Sequence, residues 1–204
     1  KRSDTCTICH YSDEQKDADA RPKQVAGPSC ESCHGSASEW ISIHNDYGKG
    51  VKRDDETAEH KAERIQKAEA AGMIRPDKLF DVASNCMACH GLAREELKPE
   101  HAAAMLDAGH PLKPEFELVS YSQGTVRHRF YPPDVTVNKE MTPAELSQMY
   151  VVGQAAALVS ATQAMSKSDH AKYKAAQEKR IATATAALNA VKGEVPEAGA
   201  LLAD

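Results

Sequence analysis

Hydrophobic residues follow a helical spacing in some segments of the chain and no regular spacing in others. Apolar positions that recur every three or four residues, in segments rich in Ala, Glu and Lys, predict α-helices. The predicted helices are 36–45, 54–71, 94–108, 143–165 and 168–191. Residues 11–29 and 111–139 contain proline or glycine without a helical period and are predicted to be irregular. The pattern therefore predicts a mainly α protein with much irregular structure.

The last two predicted helices are rich in alanine and are expected to pair. Thr142-Pro143-Ala144-Glu145 has the sequence of a capping box with proline at the first helical position. Gly193 and Pro196 are expected to end the second helix. Because the connection between the two helices is short, they are predicted to form an antiparallel hairpin. Residues 141–204 are therefore assigned to a helical hairpin that packs on a first region, 1–140.

Composition narrows the class of protein. Only 5% of the 204 residues are aromatic and the mean hydropathy is -0.55, which leaves little apolar material for a core made of protein alone. A formal net charge of -5 excludes a general nucleic-acid-binding protein. The sequence contains no run of eighteen apolar residues, so no membrane span is expected.

One pentapeptide pattern, C-x-x-C-H, occurs three times and uses all six cysteines. The three copies are Cys6-Thr-Ile-Cys9-His10, Cys30-Glu-Ser-Cys33-His34 and Cys86-Met-Ala-Cys89-His90. Two thiols one helical turn apart suit thioether bonds to the vinyl groups of a porphyrin, and the adjacent histidine suits the proximal position on its iron. Zinc sites or redox disulfides are the alternatives, but neither explains a histidine after every second cysteine. The pattern predicts three covalently bound c-type haems.

Three haems would supply the missing core. Residues 1–140 are then a three-haem-binding region that wraps the porphyrins, and folding is expected to depend on haem attachment. Thioether attachment of haem is completed outside the cytoplasm. We therefore expect a periplasmic or extracellular location, with an export signal removed before Lys1.

Each iron needs a sixth ligand if all three are six-coordinate. Six histidines lie outside the motifs: His44, His60, His101, His110, His128 and His170. Six methionines could serve instead, but histidine is favoured because it is in excess and lies close to the motifs. Iron with two histidine ligands is low-spin and of low potential, whereas methionine ligation raises the potential.

Two segments carry a family resemblance. Gly27-Pro-Ser-Cys-Glu-Ser-Cys-His-Gly through His44, and Cys86 through Gly109-His110-Pro111 with Phe116-Glu117-Leu118, resemble the multihaem cytochrome family related to the tetrahaem electron carrier of ammonia-oxidising bacteria. The resemblance covers roughly residues 5–165. It implies that His44 is the distal ligand of the haem on Cys6 and Cys9. The run from His110 to His128 also resembles a segment of pentahaem nitrite reductases, in which the later histidine ligates a haem and the first lines the active site.

The chain departs from that family at two points. Relatives carry a fourth C-x-x-C-H and a histidine shortly after the first motif, but this chain has no cysteine after Cys89 and no histidine between Tyr11 and Ser29. The identity of one distal ligand is therefore not determined by the resemblance. The order of preference is His44, then His110, then His128 and His101 together, with His60 and His170 interpreted as surface residues.

Two functions from different classes fit these residues. An electron carrier needs closely spaced haems, saturated iron and redox partner proteins, but no substrate pocket. A redox enzyme for a nitrogen or sulfur species needs one open iron and nearby groups such as His101, His110, Arg127 and Tyr131. The carrier is favoured because the histidines suffice to saturate every iron. A subunit that docks in a larger electron-transfer complex through the C-terminal hairpin is a further possibility.

Overall fold

The computed structural model describes residues 4–125 and 136–203. It divides by contacts into two compact units, Lys1–Lys78 and Leu79–Asp204. The predicted mainly α fold with irregular segments is confirmed. The division by contacts falls at residue 78, so the third C-x-x-C-H motif belongs to the same unit as the C-terminal helices. The assignment of residues 1–140 to haem binding stays a prediction.

The first unit contains short elements joined by turns. In chain order they are α1 (Asp4–His10), β1 (Ser12–Glu14), β2 (Lys23–Ala26), α2 (Glu31–His34), a 3₁₀ turn (Arg53–Asp55) and α3 (Ala58–Ala70). Strands β1 and β2 pair antiparallel with Ser12 opposite Ala26. Residues 11–29 are therefore not wholly irregular. The two strands escaped prediction because they are only three and four residues long and carry no alternation of apolar and polar residues.

One predicted helix of this unit is absent and another is shorter than expected. Residues 36–45 form successive turns instead of a helix, with Ile41 N donating to Ala37 O and His44 N to Trp40 O. The segment is ten residues long and contains three serines, which favour turns over helix interior. Helix α3 begins at Ala58 instead of 54, because the Thr57 side chain accepts a hydrogen bond from His60 N and caps it.

The second unit is built from longer helices. They are α4 (Leu79–His90), α5 (Pro99–Asp107), a π-helical turn (Ser120–Thr125), α6 (Pro143–Ala164), α7 (Ala171–Val191) and α8 (Pro196–Ala203). The predicted hairpin is confirmed as α6 and α7, which pack along each other. The predicted capping box is also present: Glu145 N donates to Thr142 Oγ1, and the Glu145 carboxylate accepts from Thr142 N.

The core of the second unit lies where α4 packs on the hairpin. Met87, Ala157 and Ala184 form a buried cluster, and Phe116 and Leu158 pack against it. Small residues along α6 let its neighbours approach closely: a Cβ at Gly153 would lie 3.1 Å from Leu118 Cβ. The third C-x-x-C-H motif is carried by α4, so this packing fixes the helix that holds it.

The remaining boundaries differ from the predicted ones for local reasons. Helix α5 begins at Pro99 instead of 94, since proline takes the first helical position and the chain reverses at Leu92 (φ +50°). Pro196 opens α8 instead of only ending α7. No helix within residues 4–125 and 136–203 has the length and apolar character needed to cross a membrane.

Candidate haem-binding sites

All three C-x-x-C-H motifs share one local geometry. Helices α1, α2 and α4 each end at the motif histidine, which is His10, His34 and His90 respectively. Cys30, which precedes α2, also has helical backbone angles (φ -52°, ψ -36°). The two sulfurs of each motif therefore lie one helical turn apart on one side of the helix. All six cysteines lie in the described part of the chain and are thiols there, with no disulfide.

The β1–β2 hairpin brings the first two motifs together within the first unit. His10 lies two residues before Ser12, and Cys30 lies four residues after Ala26, the residue opposite Ser12. Ser12 is buried. Its Oγ donates a hydrogen bond to Gly27 O at 3.1 Å and lies 2.6 Å from Ser29 Oγ. The hairpin and these hydrogen bonds hold the end of one motif beside the start of the next.

His34 is held by the segment that follows α3. Its Nδ1 lies 2.8 Å from Ile74 O, and Ile74 N donates to His34 O at 2.9 Å. A backbone carbonyl accepts only, so Nδ1 carries the proton and Nε2 is left to bind a metal. Metal-ligating histidines are commonly oriented by this kind of hydrogen bond. The geometry of His34 therefore matches that of a proximal ligand.

His44 has the same arrangement on a different part of the first unit. Its Nδ1 lies 2.7 Å from Ile41 O, which leaves Nε2 as the ligating nitrogen. Trp40 is buried and its ring packs edge-on against the imidazole, with centroids 5.4 Å apart. Arg64 Nη1 donates to His44 O. The backbone and the ring of His44 are thus both fixed.

A carboxylate holds the imidazole of His60. Glu56 Oε1 lies 2.8 Å from His60 Nδ1, and both carboxylate oxygens accept from Arg64, at 2.7 and 2.6 Å. The hydrogen bonds from Arg64, with that from His60, lower the pKa of Glu56 from 4.5 to about 2. The Arg64 guanidinium also lies over the Tyr47 ring, 4.9 Å from its centroid. One ion pair therefore positions the backbone of His44 and the imidazole of His60, whose side chain is 40% exposed.

A cavity of about 140 Å³ lies beside His44. Its wall combines the imidazole with apolar and basic side chains, namely Lys61, Arg64, Ile65, Ala68, Met73 and Arg75. An imidazole, apolar contacts and cations are the groups that a haem requires for its iron, its ring and its propionates. The lining is therefore chemically suited to the edge of a haem.

In the second unit, the predicted proximal histidine His90 lies against an aromatic pair. The His90 and Phe116 rings stack with centroids 3.8 Å apart and planes 13° apart, and Tyr121 contacts both rings. Partial burial, with the positive charges of Lys113 and Arg180, lowers the pKa of His90. The lowered pKa favours the neutral imidazole, which is the form that binds a metal.

Two side chains of α7 donate hydrogen bonds to the backbone of the two residues that follow His90. Gln177 Nε2 donates to Gly91 O at 2.9 Å, and Tyr173 Oη donates to Leu92 O at 3.1 Å. Leu92 is a non-glycine residue with positive φ, and its buried side chain and these hydrogen bonds hold that conformation. Burial raises the pKa of Tyr173 to about 12, so this phenol remains a donor at any ordinary pH.

The remaining histidines outside the motifs all belong to the second unit. His101 is exposed on α5, and His110 is half-buried in the turn that ends α5, where Gly109 has φ +89° and His110 N donates to Met105 O. His170 Nε2 lies 3.0 Å from Asp107 Oδ1, which engages the nitrogen that a ligand would offer. His128 lies outside the described residues, as do Arg127 and Tyr131.

The donor set fits haem better than it fits zinc. A structural zinc site takes four protein ligands at one point. Within residues 4–125 and 136–203 no three His, Cys, Asp or Glu side chains come together to hold a metal ion. A c-type haem makes no such demand, because each motif supplies its own two sulfurs and one axial nitrogen. In addition, the buried Trp40 Nε1 has no hydrogen-bond partner among the described residues, and a propionate would provide one.

Comparison with known proteins gives one similar sequence. Over 70 residues the chain is 35% identical to cytochrome c-550 of Bacillus subtilis (strain 168). This stretch is 34% of the chain, and it spans 58% of the length of that cytochrome. No protein-family model matches the chain, and no solved structure is significantly similar to it.

Several residues that build these sites were not predicted from the sequence. They are Glu56, Arg64, Ile74, Tyr173, Gln177 and Arg180. The spacing Glu56, His60, Arg64 places acid, imidazole and base four residues apart and could have indicated the first network. The others act through tertiary contacts over 40 or more residues and leave no local signal.

Proposed function

We propose that the chain is a trihaem c-type cytochrome that transfers electrons between redox partner proteins outside the cytoplasm. The observation that carries this proposal is the threefold helical C-x-x-C-H geometry, in which every motif helix ends at the motif histidine and no cysteine is in a disulfide. The similarity to a cytochrome c-550 supports a c-type cytochrome. Covalent haem supplies an iron that cycles between ferric and ferrous states.

The proposed site residues form two groups: those that attach the haems and those that ligate their irons. Cys6, Cys9, Cys30, Cys33, Cys86 and Cys89 would form the thioethers, and His10, His34 and His90 would be the proximal ligands. His44 is proposed as distal ligand of the haem on Cys6 and Cys9, because both lie in the first unit and its Nδ1 is held by a carbonyl. His110, His128 and His101 remain the proposed candidates for the other irons. His60 joins them, because a carboxylate holds its Nδ1.

The test is to express the chain behind an added export signal in a host that attaches c-type haem, and to measure the mass of the product. We expect a mass increase of three haems that survives denaturation, and haem staining of the denatured band. A variant with Cys86 and Cys89 replaced by serine should carry two. A mass equal to that of the bare chain would overturn the proposal, and the same mass for wild type and variant would remove the third site from it.

A further inference from the structure

Arg180 on α7 is a buried cation without a counter-charge among the described residues. Only 6% of its surface is exposed. Its Nη1 donates to Gln177 Oε1 at 2.6 Å, and its Nη2 has no hydrogen-bond partner within residues 4–125 and 136–203. Burying a charge without a partner is costly, so a residue of this kind indicates a requirement other than stability.

The guanidinium lies against the third haem motif. A Cβ at Gly91 would overlap Arg180 Nη1 and would lie 2.7 Å from Met87 O, so only glycine leaves room for the guanidinium there. Gly91 is bonded to His90, and its carbonyl is held by Gln177, the residue that also binds Arg180. Helix α7 therefore fixes a positive charge beside the proximal histidine of this motif.

We propose that Arg180 raises the reduction potential of the haem attached at Cys86 and Cys89. This inference rests on the proposed function. When an electron from a reductant converts ferric to ferrous iron, the site loses one positive charge. A fixed cation in a poorly solvated region repels the ferric state more than the ferrous state and so favours reduction. Gln177 keeps the guanidinium in place, and Gly91 provides the space for it.

The experiment compares three variants of the haem-loaded protein by spectroelectrochemical titration. Arg180→Met removes the charge and keeps an elongated side chain, a kind of exchange that buried charges tolerate. Arg180→Lys keeps the charge. Lys179→Gln removes the same charge from the neighbouring, exposed position of α7. We expect Arg180→Met to lower the reduction potential of one haem by about 59 mV. For one electron, this corresponds to a tenfold change in the equilibrium constant for reduction.

The lysine variant should retain most of the wild-type potential, and Lys179→Gln should change none, since exposed charges are screened. Unchanged potentials in Arg180→Met with three haems attached would overturn the proposal. Equal shifts in the methionine and lysine variants would assign Arg180 a purely structural role and would also overturn it. If Arg180→Met does not fold, Arg180→Gln repeats the test. If neither neutral variant folds while Arg180→Lys does, the positive charge is needed for folding, and this result would contradict the proposal.

The mass measurement separates this inference from the function on which it rests. A wild-type chain without covalent haem would refute the trihaem cytochrome itself. Three attached haems with potentials that do not respond to residue 180 would refute only the role of Arg180. Haem counts must therefore be determined for each variant before its potentials are compared.

Discussion

A histidine presents one ring nitrogen to a metal, so a hydrogen bond at the other nitrogen fixes which one is offered. His34, His44 and His60 each have Nδ1 engaged, by a carbonyl, a carbonyl and a carboxylate respectively. His170 instead has Nε2 within 3.0 Å of Asp107. At the scale of single residues, this difference ranks His44 and His60 above His170 as iron ligands.

Replacing His44 by alanine is expected to leave three haems attached and to convert one iron to high spin. The thioethers do not involve His44, but its loss would open one coordination position on the proposed first haem. Electron paramagnetic resonance of the oxidised protein would detect the high-spin iron, and the reduced protein should gain carbon monoxide binding. His170→Ala is the matched control and should leave the spectrum unchanged. An unaltered spectrum in His44→Ala would transfer the role to another histidine, of which His60 would be tested first.

The ionised Glu56 carboxylate should stabilise the first unit at pH values above the pKa that Glu56 has in the unfolded chain. Its pKa falls from 4.5 in the unfolded chain to about 2, chiefly through the hydrogen bonds from Arg64. A lowered pKa stabilises the fold fully above about pH 4.5, and this stabilisation is lost as the pH falls towards 2. Glu56→Gln should therefore be less stable than wild type at pH 7, and the difference should shrink over that interval. Denaturant unfolding followed by the emission of Trp40, the only tryptophan, would measure it.

Glu39 provides the control for this titration. It is an exposed carboxylate of the same unit, and Glu39→Gln should match wild type at every pH. Protonation of haem ligands in acid affects all three proteins alike and cancels in the differences. A difference between wild type and Glu56→Gln that stayed constant from pH 7 to pH 2.5 would contradict the role of the charge.

The residues that carry chemistry could be predicted only where their signal is local. Each C-x-x-C-H motif is five consecutive residues, so the sequence alone reveals it. The helices that carry the motifs, α1, α2 and α4, were not among the predicted ones. Ile74 holds His34 through its carbonyl, which every residue possesses, so no side-chain pattern reveals it. Arg180 reaches Gly91 across 89 positions of sequence, and only the packing of α7 brings them together.

At the scale of elements, the junction between α2 and the end of α3 depends on Gly35. Its backbone angles (φ +81°, ψ +158°) lie in a region that essentially only glycine adopts, and a Cβ there would lie 2.5 Å from Gly72 O. This close approach places Ile74 against His34. A side chain at Gly35 would therefore separate two elements and release His34, the proposed proximal ligand.

Gly35→Ala is expected to lower the free energy of unfolding more than Gly50→Ala does. Gly50 also has positive φ (+77°), but a Cβ there meets nothing within 4 Å, so its substitution carries only the conformational cost of about 1–2 kcal/mol. Gly35→Ala adds the overlap with Gly72 O. It should also perturb the absorption spectrum of one haem, whereas Gly50→Ala should not. Equal losses of stability in the two variants would show that the close approach is unimportant.

Prediction of the elements succeeded where many residues share one period. Helices α6 and α7 exceed twenty residues and have closely predicted ends, and α6 carries the predicted capping box. Strands β1 and β2 form through their partner and two serine hydrogen bonds, not through their own sequences, and were missed. Residues 36–45 have helical spacing, but the segment is too short for its hydrogen bonds to offset the cost of helix nucleation, so it forms turns. These turns still keep Trp40 and His44 in contact.

At the scale of the whole molecule, surface charge and iron coordination decide between a carrier and an enzyme. The formal charge of -5 would become more negative with the propionates of the three proposed haems, which would favour a basic redox partner. If every iron has two histidine ligands, no coordination position is open to a small substrate. The first unit favours such saturation, because one ion pair holds the His60 imidazole and the His44 backbone, and the Ile41 carbonyl holds the His44 imidazole.

The reduced wild-type protein is therefore expected to bind carbon monoxide hardly at all and to show little turnover of nitrite or hydroxylamine. It should still exchange electrons quickly with a basic single-haem cytochrome c, and stopped-flow rates should fall steeply as salt rises, since exposed charges are screened over about 10 Å at 0.1 M. An acidic cytochrome used as the control should react slowly and should not be slowed further by salt. Rapid carbon monoxide binding together with substrate turnover would instead require an open iron. That result would replace the carrier by a redox enzyme, because only a free coordination position lets a small molecule reach the metal.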